Sequence, residues 1–489
     1  MWRGFGALLD EHMLEAKKLV DEHRVKWILA SLVDIRGRLY SLSVPAEDLE
    51  SYATDGIGFD GSSVRGLVTI DKSDMVLKLD LSTLRVLPWT LNSTPAAIAL
   101  GSVYRPGSTE PFEGCPRSCA MALERKLGEQ ELKAIVGPEV EFFLFSGVDF
   151  TKLSWDPWAT WPGAEDSKGA PRVLPTSPEL GNNLGITVAP KDGYFRAPPE
   201  DMTLELRNEI SRALEEWFKC KVTKHHHEVA TGGQIEIGIE GTTLLKACDS
   251  TVYYKFAAKN IARAHGMVAT FMPKPLYMDN ASGMHIHLSL WRGSENLMYS
   301  DEDSYAELSQ TARYFIGGLL DHARALTAVC APTVNSYKRL VPGFEAPVYV
   351  AWSRANRSAL VRVPVYYWGR EHAKEKRVEY RGVDPSANPY LAFTCLVAAG
   401  LDGIQKKIDP GDPVDKDLYK MTLEERRSLG IRELPGSLKE ALEELESDEV
   451  LQRALGKHVY EAFTEYKRKE WLEYSLYITP WEYARYWDC

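Results

Sequence analysis

The feature that most constrains the fold is a set of charged side chains at alternate positions inside apolar segments. Glu139 and Glu141 flank Val140, and the same alternation occurs in segments 285–287 (HIH) and 377–381 (RVEYR). In a β-strand, alternate residues point to the same face of the sheet. Each segment therefore predicts a strand with one face in an apolar core and the other face carrying charged groups.

The acidic members of this set point to a metal centre. Glu228 and Glu236 bracket a fourth segment of the same kind. A solvated strand face would explain any one pair, but not a pattern that recurs in several apolar segments. Buried carboxylates repel one another and are costly to desolvate, and a divalent cation removes that cost. Five glutamates with one or two histidines favour Mg²⁺ or Mn²⁺ over Zn²⁺, and more than four ligands indicates two or more ions.

A second group of residues is basic and suits phosphate chemistry. Forked guanidinium groups bind phosphate and carboxylate oxygens, and together with metal ions they are typical of nucleotide phosphoryl transfer. A surface basic patch is the alternative, but segment 359–364 alternates arginine with valine, leucine and proline. The basic residues concerned are Lys338, Arg339, Arg357, Arg362, Lys374, Arg377 and Arg381.

Two other motifs are misleading. Segment 56–61 reads G-x-G-x-x-G, but it lacks a βαβ context and no helix opens after it, so we do not predict a dinucleotide site. No Walker A sequence is present. The run 225–227 (HHH) resembles a metal tract, but consecutive strand residues point in different directions, so we predict Glu228 as the ligand and the histidines as supports.

Composition excludes several classes of protein. The chain has 489 residues, 58 Lys and Arg against 69 Asp and Glu, and a formal charge of −11, which argues against nucleic-acid binding through bulk charge. No apolar run is long enough to span a membrane, and the first residues lack a signal peptide. Seven scattered cysteines indicate reduced thiols, so we predict a cytoplasmic protein, with Cys115 and Cys119 in packing roles.

Local patterns predict an α+β fold. We expect strands at 27–34, 39–44, 75–79 and 96–100, and helices at 13–23, 119–132, 203–218 and 242–265, with a linker at 105–116. Segment 155–185 reads as an irregular, Trp-rich insertion that serves either binding or plain surface coverage. The tail is helical over 439–469, and its aromatic end, 471–487, should dock on the body or on another subunit.

Nine segments, in order between residues 26 and 419, closely resemble type I glutamine synthetases. They are 59–63 (FDGSS), 137–143 (GPEVEFF), 193–195 (GYF), 225–234 (HHHEVATGGQ), 271–275 (FMPKP), 282–287 (SGMHIH), 335–347 (NSYKRLVPGFEAP), 356–358 (NRS) and 377–381 (RVEYR). The resemblance implies a β-grasp domain at 24–107 and a catalytic domain at 113–489 with a distorted, mainly antiparallel β-barrel. It also implies a homododecamer of two hexameric rings, with active sites between subunits.

The resemblance also implies roles for individual residues. One Mg²⁺ or Mn²⁺ is expected on Glu141, Glu228 and Glu236, and a second on Glu139, His285 and Glu379. ATP is expected to contact His287, Ser289, Arg357, Arg362 and Lys374, with Arg357 assisting phosphoryl transfer, and glutamate is expected to contact Asn280, Ala281, Arg339 and Arg381. The ammonium pocket is expected to comprise Asp60, Ser63, Tyr194, Glu228 and Glu345, with Asp60 as base and Glu345 on a flap.

The activity implied is the ATP-dependent joining of ammonia to the γ-carboxylate of glutamate through γ-glutamyl phosphate, as in nitrogen assimilation. The chain departs from the family pattern at three places. These are Ala281, where the family usually has glycine, Thr223, where an acidic residue is frequent, and segment 64–67, which lacks a tryptophan seen in some members. They leave open a ligase that uses an organic amine or polyamine. A catalytically silent relative and a guanidino kinase are less consistent with the complete ligand set and the ammonium pocket. Tyr419 lies where some members are adenylylated, although its neighbourhood matches only in part.

Overall fold

The fold was analysed in a computed structural model that describes residues 2–146, 188–231 and 233–489, with only the backbone for residues 2–10. The predicted insertion at 155–185 therefore lies outside the described residues. Within the described ranges, no helix is both long and apolar enough to cross a membrane.

The N-terminal part of the chain folds around a mixed sheet, as the β-grasp prediction required. The described strands are ordered β2-β1-β6-β4-β3, with β5 beside β6; β1 and β6 are parallel and the other pairs antiparallel. Its elements are α1 (Trp2–Glu22), β1 (Trp27–Val33), β2 (Leu39–Pro45), α2 (Leu49–Thr54), β3 (Ile57–Asp60), β4 (Asp74–Leu79), β5 (Arg85–Val86) and β6 (Ala96–Tyr104).

The predicted hairpin between β1 and β2 forms for a local reason. Gly37 adopts a φ of +81°, a region that favours glycine, and Asp34 accepts hydrogen bonds from the backbone N–H groups of Arg36 (2.9 Å) and Arg38 (3.0 Å). On β4, alternate residues are buried in the core of this part.

The rest of the chain alternates strands and long helices. Its elements are α3 (Pro116–Glu129), β7 (Leu132–Phe145), α4 (Leu204–Glu216), β8 (Val222–His227), β9 (Gln234–Ile239), β10 (Thr242–Thr243), α5 (Leu244–Ala264), β11 (Val268–Thr270), β12 (Met284–Arg292), β13 (Glu295–Asn296), α6 (Gln310–Asp321), α7 (Ala323–Cys330), α8 (Ser336–Arg339), β14 (Tyr349–Val350), β15 (Trp352–Arg354), β16 (Val361–Val363), β17 (Val378–Tyr380), α9 (Pro389–Lys406), α10 (Leu423–Ser428), β18 (Arg432–Glu433), α11 (Leu438–Glu446), α12 (Glu449–Leu455), α13 (Lys457–Leu476) and α14 (Pro480–Tyr486).

The larger sheet confirms the expected mainly antiparallel architecture. Its described strands run β15-β16-β17-β12-β7-β9-β8, with β10 and β11 beside β7 and β13 beside β12, and only β15 and β16 pair in parallel. The sheet curls into a half-barrel. Helices α5 and α9 are largely buried and share one continuous apolar core with the outer face of the sheet.

A buried ionic group joins the two parts of the chain. The guanidinium of Arg117, on α3, donates to Asp249 on α5 and to Asp80 beside the smaller sheet, at 2.8 and 2.7 Å. Asn388 donates from its amide to the carbonyl of Asp34, at 2.9 Å. These contacts tie the smaller sheet to the helices that pack on the larger one.

Some predicted details were wrong. The helix expected at 119–132 ends at Glu129, because Glu131 takes a left-handed φ of +57° and β7 begins at Leu132. The aromatic tail, predicted to dock on the body or on another subunit, contacts the body only in part: Trp471 packs partly on the core and Lys338 lies 5.7 Å from the ring of Tyr474, whereas Trp481 and Trp487 are 59% and 77% exposed. Docking on another subunit stays a prediction. The domain limits of 24–107 and 113–489 also stay predictions.

Candidate active site

A cavity of about 1030 Å³ opens on the inner face of the half-barrel. Charged residues from β7, β9, β12, β16 and β17 line it, together with residues from loops that follow β8 and α8. The side chains that the sequence predicts as ligands of metal, nucleotide and glutamate all face this cavity.

Three neighbouring strands bring the alternating segments together. In the registers of β7 with β12 and of β12 with β17, Glu139 lies opposite His285, and His287 lies opposite Glu379. The residues between them, such as Val140, are fully buried on the other side of the sheet. The predicted alternation is therefore confirmed.

Glu228 and Glu236 reach the cavity from a hairpin rather than from one segment. Glu228 follows the end of β8, Glu236 lies on β9, and the backbone N–H of Glu228 donates to the carbonyl of Gln234 at 2.8 Å. In the register of β7 with β9, Glu236 lies directly opposite Glu141. The hairpin thus places two more carboxylates beside the first pair.

The carboxylates fall into two electrostatic groups, of which the first comprises Glu141 and Glu228. Burial, with the Glu236 carboxylate opposite, raises the pKa of Glu141 to about 8. Burial and the Glu141 charge raise the pKa of Glu228 well above its usual range. These two groups are held where a negative charge is unfavourable unless a cation accompanies it.

The second group comprises Glu139 and Glu379. Burial disfavours their charged forms, but His287 beside Glu139 and Arg381 beside Glu379 outweigh it, and the pKa of each carboxyl lies below its usual range. Burial, reinforced by Arg381, lowers the pKa of His285 to about 4, so at neutral pH its imidazole is uncharged and has a free lone pair.

The donor set fits divalent metal ions. Ligand atoms of Glu139, Glu236 and His285 lie within 4.8 Å of one another, and so do those of His226, Glu228 and Glu236. Glu236 Oε1 is buried and, among the described residues, accepts no hydrogen bond of good geometry; its polar neighbours are the Lys224 ammonium and the His226 ring, each at 3.3 Å. Carboxylate oxygens with imidazole nitrogen suit Mg²⁺ or Mn²⁺. Glu236 belongs to both groups of atoms, so the division into two separate sets of three stays a prediction.

Two residues of this cluster were not predicted. His226 has Nε2 3.3 Å from Glu236 Oε1 and Nδ1 3.5 Å from Glu228 Oε1. Lys224 places Nζ 3.2 Å from Glu139 and 3.3 Å from Glu236. Strand alternation puts positions 224, 226 and 228 on one face, so the same rule that identified the other segments could have found both.

The other histidines of the run point elsewhere, as expected. His225 Nδ1 accepts from Arg207 at 3.3 Å, and His227 lies with Nδ1 2.6 Å from the carbonyl of Glu228. The G-x-G-x-x-G segment forms β3 and a 3₁₀ turn at Gly61–Ser63 instead of opening a helix.

Arginines line the cavity beside the glutamates. Glu379 accepts hydrogen bonds from Arg362 and from Arg381, the latter at 2.6 Å, and Arg339 donates to the carbonyl of Arg381 at 3.1 Å. Arg339 Nη1, Arg362 Nε and Arg381 Nε are buried without hydrogen-bond partners in the described structure. Unpaired guanidinium N–H groups beside a cavity indicate an anionic ligand.

The remaining predicted residues, with one exception, also line the cavity. Asn280 and Ala281 lie near the glutamates, and the Ala281 carbonyl accepts from Gln234 at 3.2 Å. Arg357 lies beside Tyr194; burial opposes its charge, but the Tyr194 hydroxyl raises the pKa of Arg357 above its usual value. The other predicted residues that line the cavity are His287, Ser289, Glu345, Lys374 and Arg377, whereas Lys338 does not line it.

Asp60 and Ser63 are the exceptions, because neither lines the cavity. Asp60 is exposed and accepts hydrogen bonds from the hydroxyls of Ser62 (2.6 Å) and Ser63 (2.8 Å), which lower the pKa of its carboxyl. Their own chain thus leaves these two residues outside the cavity that holds the other predicted residues.

Comparisons with known proteins agree with this geometry. Residues 24–106 match the family model of the glutamine synthetase β-grasp domain, and residues 113–486 match that of the glutamine synthetase catalytic domain. A glutamine synthetase of Archaeoglobus fulgidus is 53% identical over 486 residues, covering 98% of both chains.

Solved structures are similar over nearly the whole chain. Plasmodium falciparum glutamine synthetase superposes with a TM-score of 0.82 at 27% identity, covering 96% of this chain and 98% of that one. GmaS without ligand gives a TM-score of 0.79 at 30% identity, covering 96% and 99%. With the fold, the arrangement of acidic and basic residues and these matches in agreement, the chain belongs to the glutamine synthetase family.

Proposed function

We propose that this protein is a glutamine synthetase that joins ammonia to the γ-carboxylate of L-glutamate at the expense of ATP. Full-length relatives of 40–53% identity are glutamine synthetases, and no observation favours an organic amine as the acceptor. The observation that carries the proposal is one cavity that combines five glutamates, His285 and a wall of arginines with unpaired N–H groups.

The site holds two or more divalent cations in this proposal. Glu141, Glu228 and Glu236 would hold one, and Glu139, His285 and Glu379 a second, with His226 as a further candidate. When bound, the cations neutralise the phosphate oxygens of ATP and the charge that develops during phosphoryl transfer.

The arginines organise the anionic substrates. Arg339 and Arg381, with Asn280 and Ala281, would hold the carboxylates of glutamate, since the free guanidinium N–H groups suit two-point contacts with carboxylates. Arg357 and Arg362, with His287, Ser289 and Lys374, would hold the phosphates of ATP. A γ-carboxylate oxygen attacks the terminal phosphorus, ADP leaves, and the arginines stabilise the charge of the transferred group.

The second step is the attack of ammonia on γ-glutamyl phosphate. Tyr194, Glu228, Glu345, Asp60 and Ser63 would form the ammonium pocket, with the last two supplied by a neighbouring subunit. The Asp60 carboxylate takes a proton from ammonium, the nitrogen of the resulting ammonia attacks the carbonyl carbon, and inorganic phosphate leaves with the second proton that the nitrogen loses as the amide forms. Glu345 and its loop would shield the reactive acyl phosphate from water.

The quaternary and cellular parts of the proposal follow from the same argument. A homododecamer of two hexameric rings would bring Asp60 to the neighbouring cavity and give the exposed aromatic residues around Trp481 a surface to bind. The cytoplasm is the location that we predict from the reduced cysteines; those in the described structure form no disulfide.

The deciding experiment compares amine substrates. Purified protein with ATP, L-glutamate and Mg²⁺ or Mn²⁺ is given ammonia, methylamine, ethanolamine or putrescine, and products are identified by mass spectrometry alongside phosphate release. We expect ammonia to have the highest kcat/KM of the four amines, with glutamine as its product, and we expect Glu236→Gln to abolish turnover. A clear preference for an organic amine would refute the choice of ammonia.

A further inference from the structure

The loop that carries Glu345 has a backbone that needs external support. Gly343 has a φ of +91°, and Glu345, a residue with a side chain, has a φ of +59° in the left-handed region. Phe344, Glu345 and Ala346 all line the cavity. Because L-residues rarely adopt this conformation unaided, the surroundings of residues 343–346 must determine it.

Two lysines hold the aromatic residue of this loop. The ammonium groups of Lys191 and Lys274 each lie 4.1 Å from the ring centroid of Phe344. Lys191 Nζ also donates a hydrogen bond to the carbonyl of Gly343 at 3.3 Å. Both contacts are well within the distance of about 6 Å at which a cation is attracted to an aromatic face.

A single buried residue, Asp279, contacts both lysines, one through its carboxylate and the other through its backbone carbonyl. Asp279 Oδ1 accepts from the backbone N–H of Lys191 at 3.1 Å, and the Asp279 carbonyl accepts from Lys274 Nζ. The backbone of Lys274 is fixed in addition by Asn335, whose Oδ1 accepts from the Lys274 N–H at 2.8 Å. Both lysines are therefore anchored to the loop around Asn280, which is proposed to bind glutamate.

The other end of the loop is also anchored. The hydroxyl of Tyr419 donates to the carbonyl of Ala346 at 2.7 Å. Glu345 thus lies between two attachment points, one on the Phe344 ring and one on the Ala346 carbonyl. Contacts on both sides of Glu345 offset the free-energy cost of its left-handed backbone conformation.

We propose that Lys191 and Lys274 are positioning residues. Their two ammonium groups bind the Phe344 ring and thereby hold Glu345 in the cavity. The proposal rests on the function proposed above. When the ring is released, water reaches γ-glutamyl phosphate: a water oxygen attacks the carbonyl carbon, the C–O bond to phosphate breaks, the water protons pass to phosphate and solvent, and glutamate is regenerated. ATP is then consumed without formation of glutamine.

The test measures ATP consumed per glutamine formed by the full-length enzyme. Lys191→Met removes one exposed ammonium and leaves the backbone contacts of Asp279 intact, and Phe344→Leu removes the ring. Both variants should consume about twofold or more ATP per glutamine, with a raised KM for ammonia and a nearly unchanged KM for ATP. Phe344→Tyr, which keeps the ring face, should restore most of the coupling.

Lys259→Met is the matched control, because its ammonium lies 5.5 Å from the ring of Phe271, away from the cavity. It should keep the wild-type ratio. Thermal unfolding midpoints establish that the variants are folded. If wild-type enzyme forms glutamine with about one ATP each and both Lys191→Met and Phe344→Leu do the same, the positioning role is refuted. If the wild type forms no glutamine from ammonia, the function itself is refuted.

Discussion

Asp60 and Glu236 allow a direct test of whether each active site is shared between chains. Glu236 lies in the cavity, whereas Asp60 is exposed outside it, in a turn held by Ser62 and Ser63. If a neighbouring subunit supplies Asp60, the variants Asp60→Asn and Glu236→Gln damage the same site from two different chains.

The expected magnitude follows from this geometry. Each variant alone lacks one essential group in every site, and loss of a general base costs about 10²–10⁴-fold in rate. In oligomers assembled at random from equal amounts of both variants, each group is intact with a probability of about one half. About one quarter of the sites then contain both groups, and the mixture should recover about one quarter of the wild-type activity.

The assay uses co-expressed variants that carry different affinity tags, purified on both tags and tested for glutamine formation. A mixture of Glu236→Gln with Glu139→Gln is the control, since both residues lie in the cavity of one chain and every site keeps a lesion. Recovery in the first mixture that does not exceed the sum of the separate variants would refute the shared site. The variant Asp60→Asn should also retain much of the phosphoryl-transfer step.

Three further predictions concern charge. Burial raises the pKa of Glu141 to about 8 and that of Glu228 above its usual range, so binding of Mn²⁺ should release at least one proton, and apparent Mn²⁺ affinity should rise about tenfold or more from pH 6 to pH 7. Calorimetry in two buffers checks this, and an equal affinity at both pH values would contradict it. Burial opposes the charge of His322, but Asp448 and Asp402 raise its pKa. The stabilising contribution of His322 is therefore complete below about pH 6.5 and is lost as the pH rises through the folded-state pKa. Chemical unfolding should show that His322→Gln loses stability at pH 6 and loses little at high pH. Arg117→Met leaves Asp249 buried without its cation and should lower the free energy of unfolding by about 3–5 kcal/mol. Denaturant unfolding measures this against the exposed control Arg453→Met, and a loss below about 1 kcal/mol would argue against a stabilising role of the buried ionic group.

The sequence allowed much of the site to be predicted because strand alternation is a local rule. Val140 between two glutamates, and Ile286 between two histidines, determined which faces would meet even though their partners lie far apart in the chain. The larger assignment depended on resemblance to a family, since alternation alone does not state which strands are neighbours.

The failures have equally physical causes. The sequence analysis predicts all three histidines of the run as supports, although alternation separates His226 from His225 and His227. The sequence predicts Glu228 and Glu236 in one segment because the residues between them carry no strong turn signal beyond two glycines. The aromatic content of the tail predicts docking on the body or on another subunit, because it shows the need for a partner surface but not which chain provides it.

Strand β7 has a consequence for how this chain can change in length. It carries Glu139 and Glu141 on one side and Val140 on the other, between β12 and β9. Deleting a single residue ahead of Glu139, with the pairing kept, would turn both acids into the apolar core and expose valine to the cavity. Relatives that diverge freely in loop length should therefore keep this strand free of insertions and deletions.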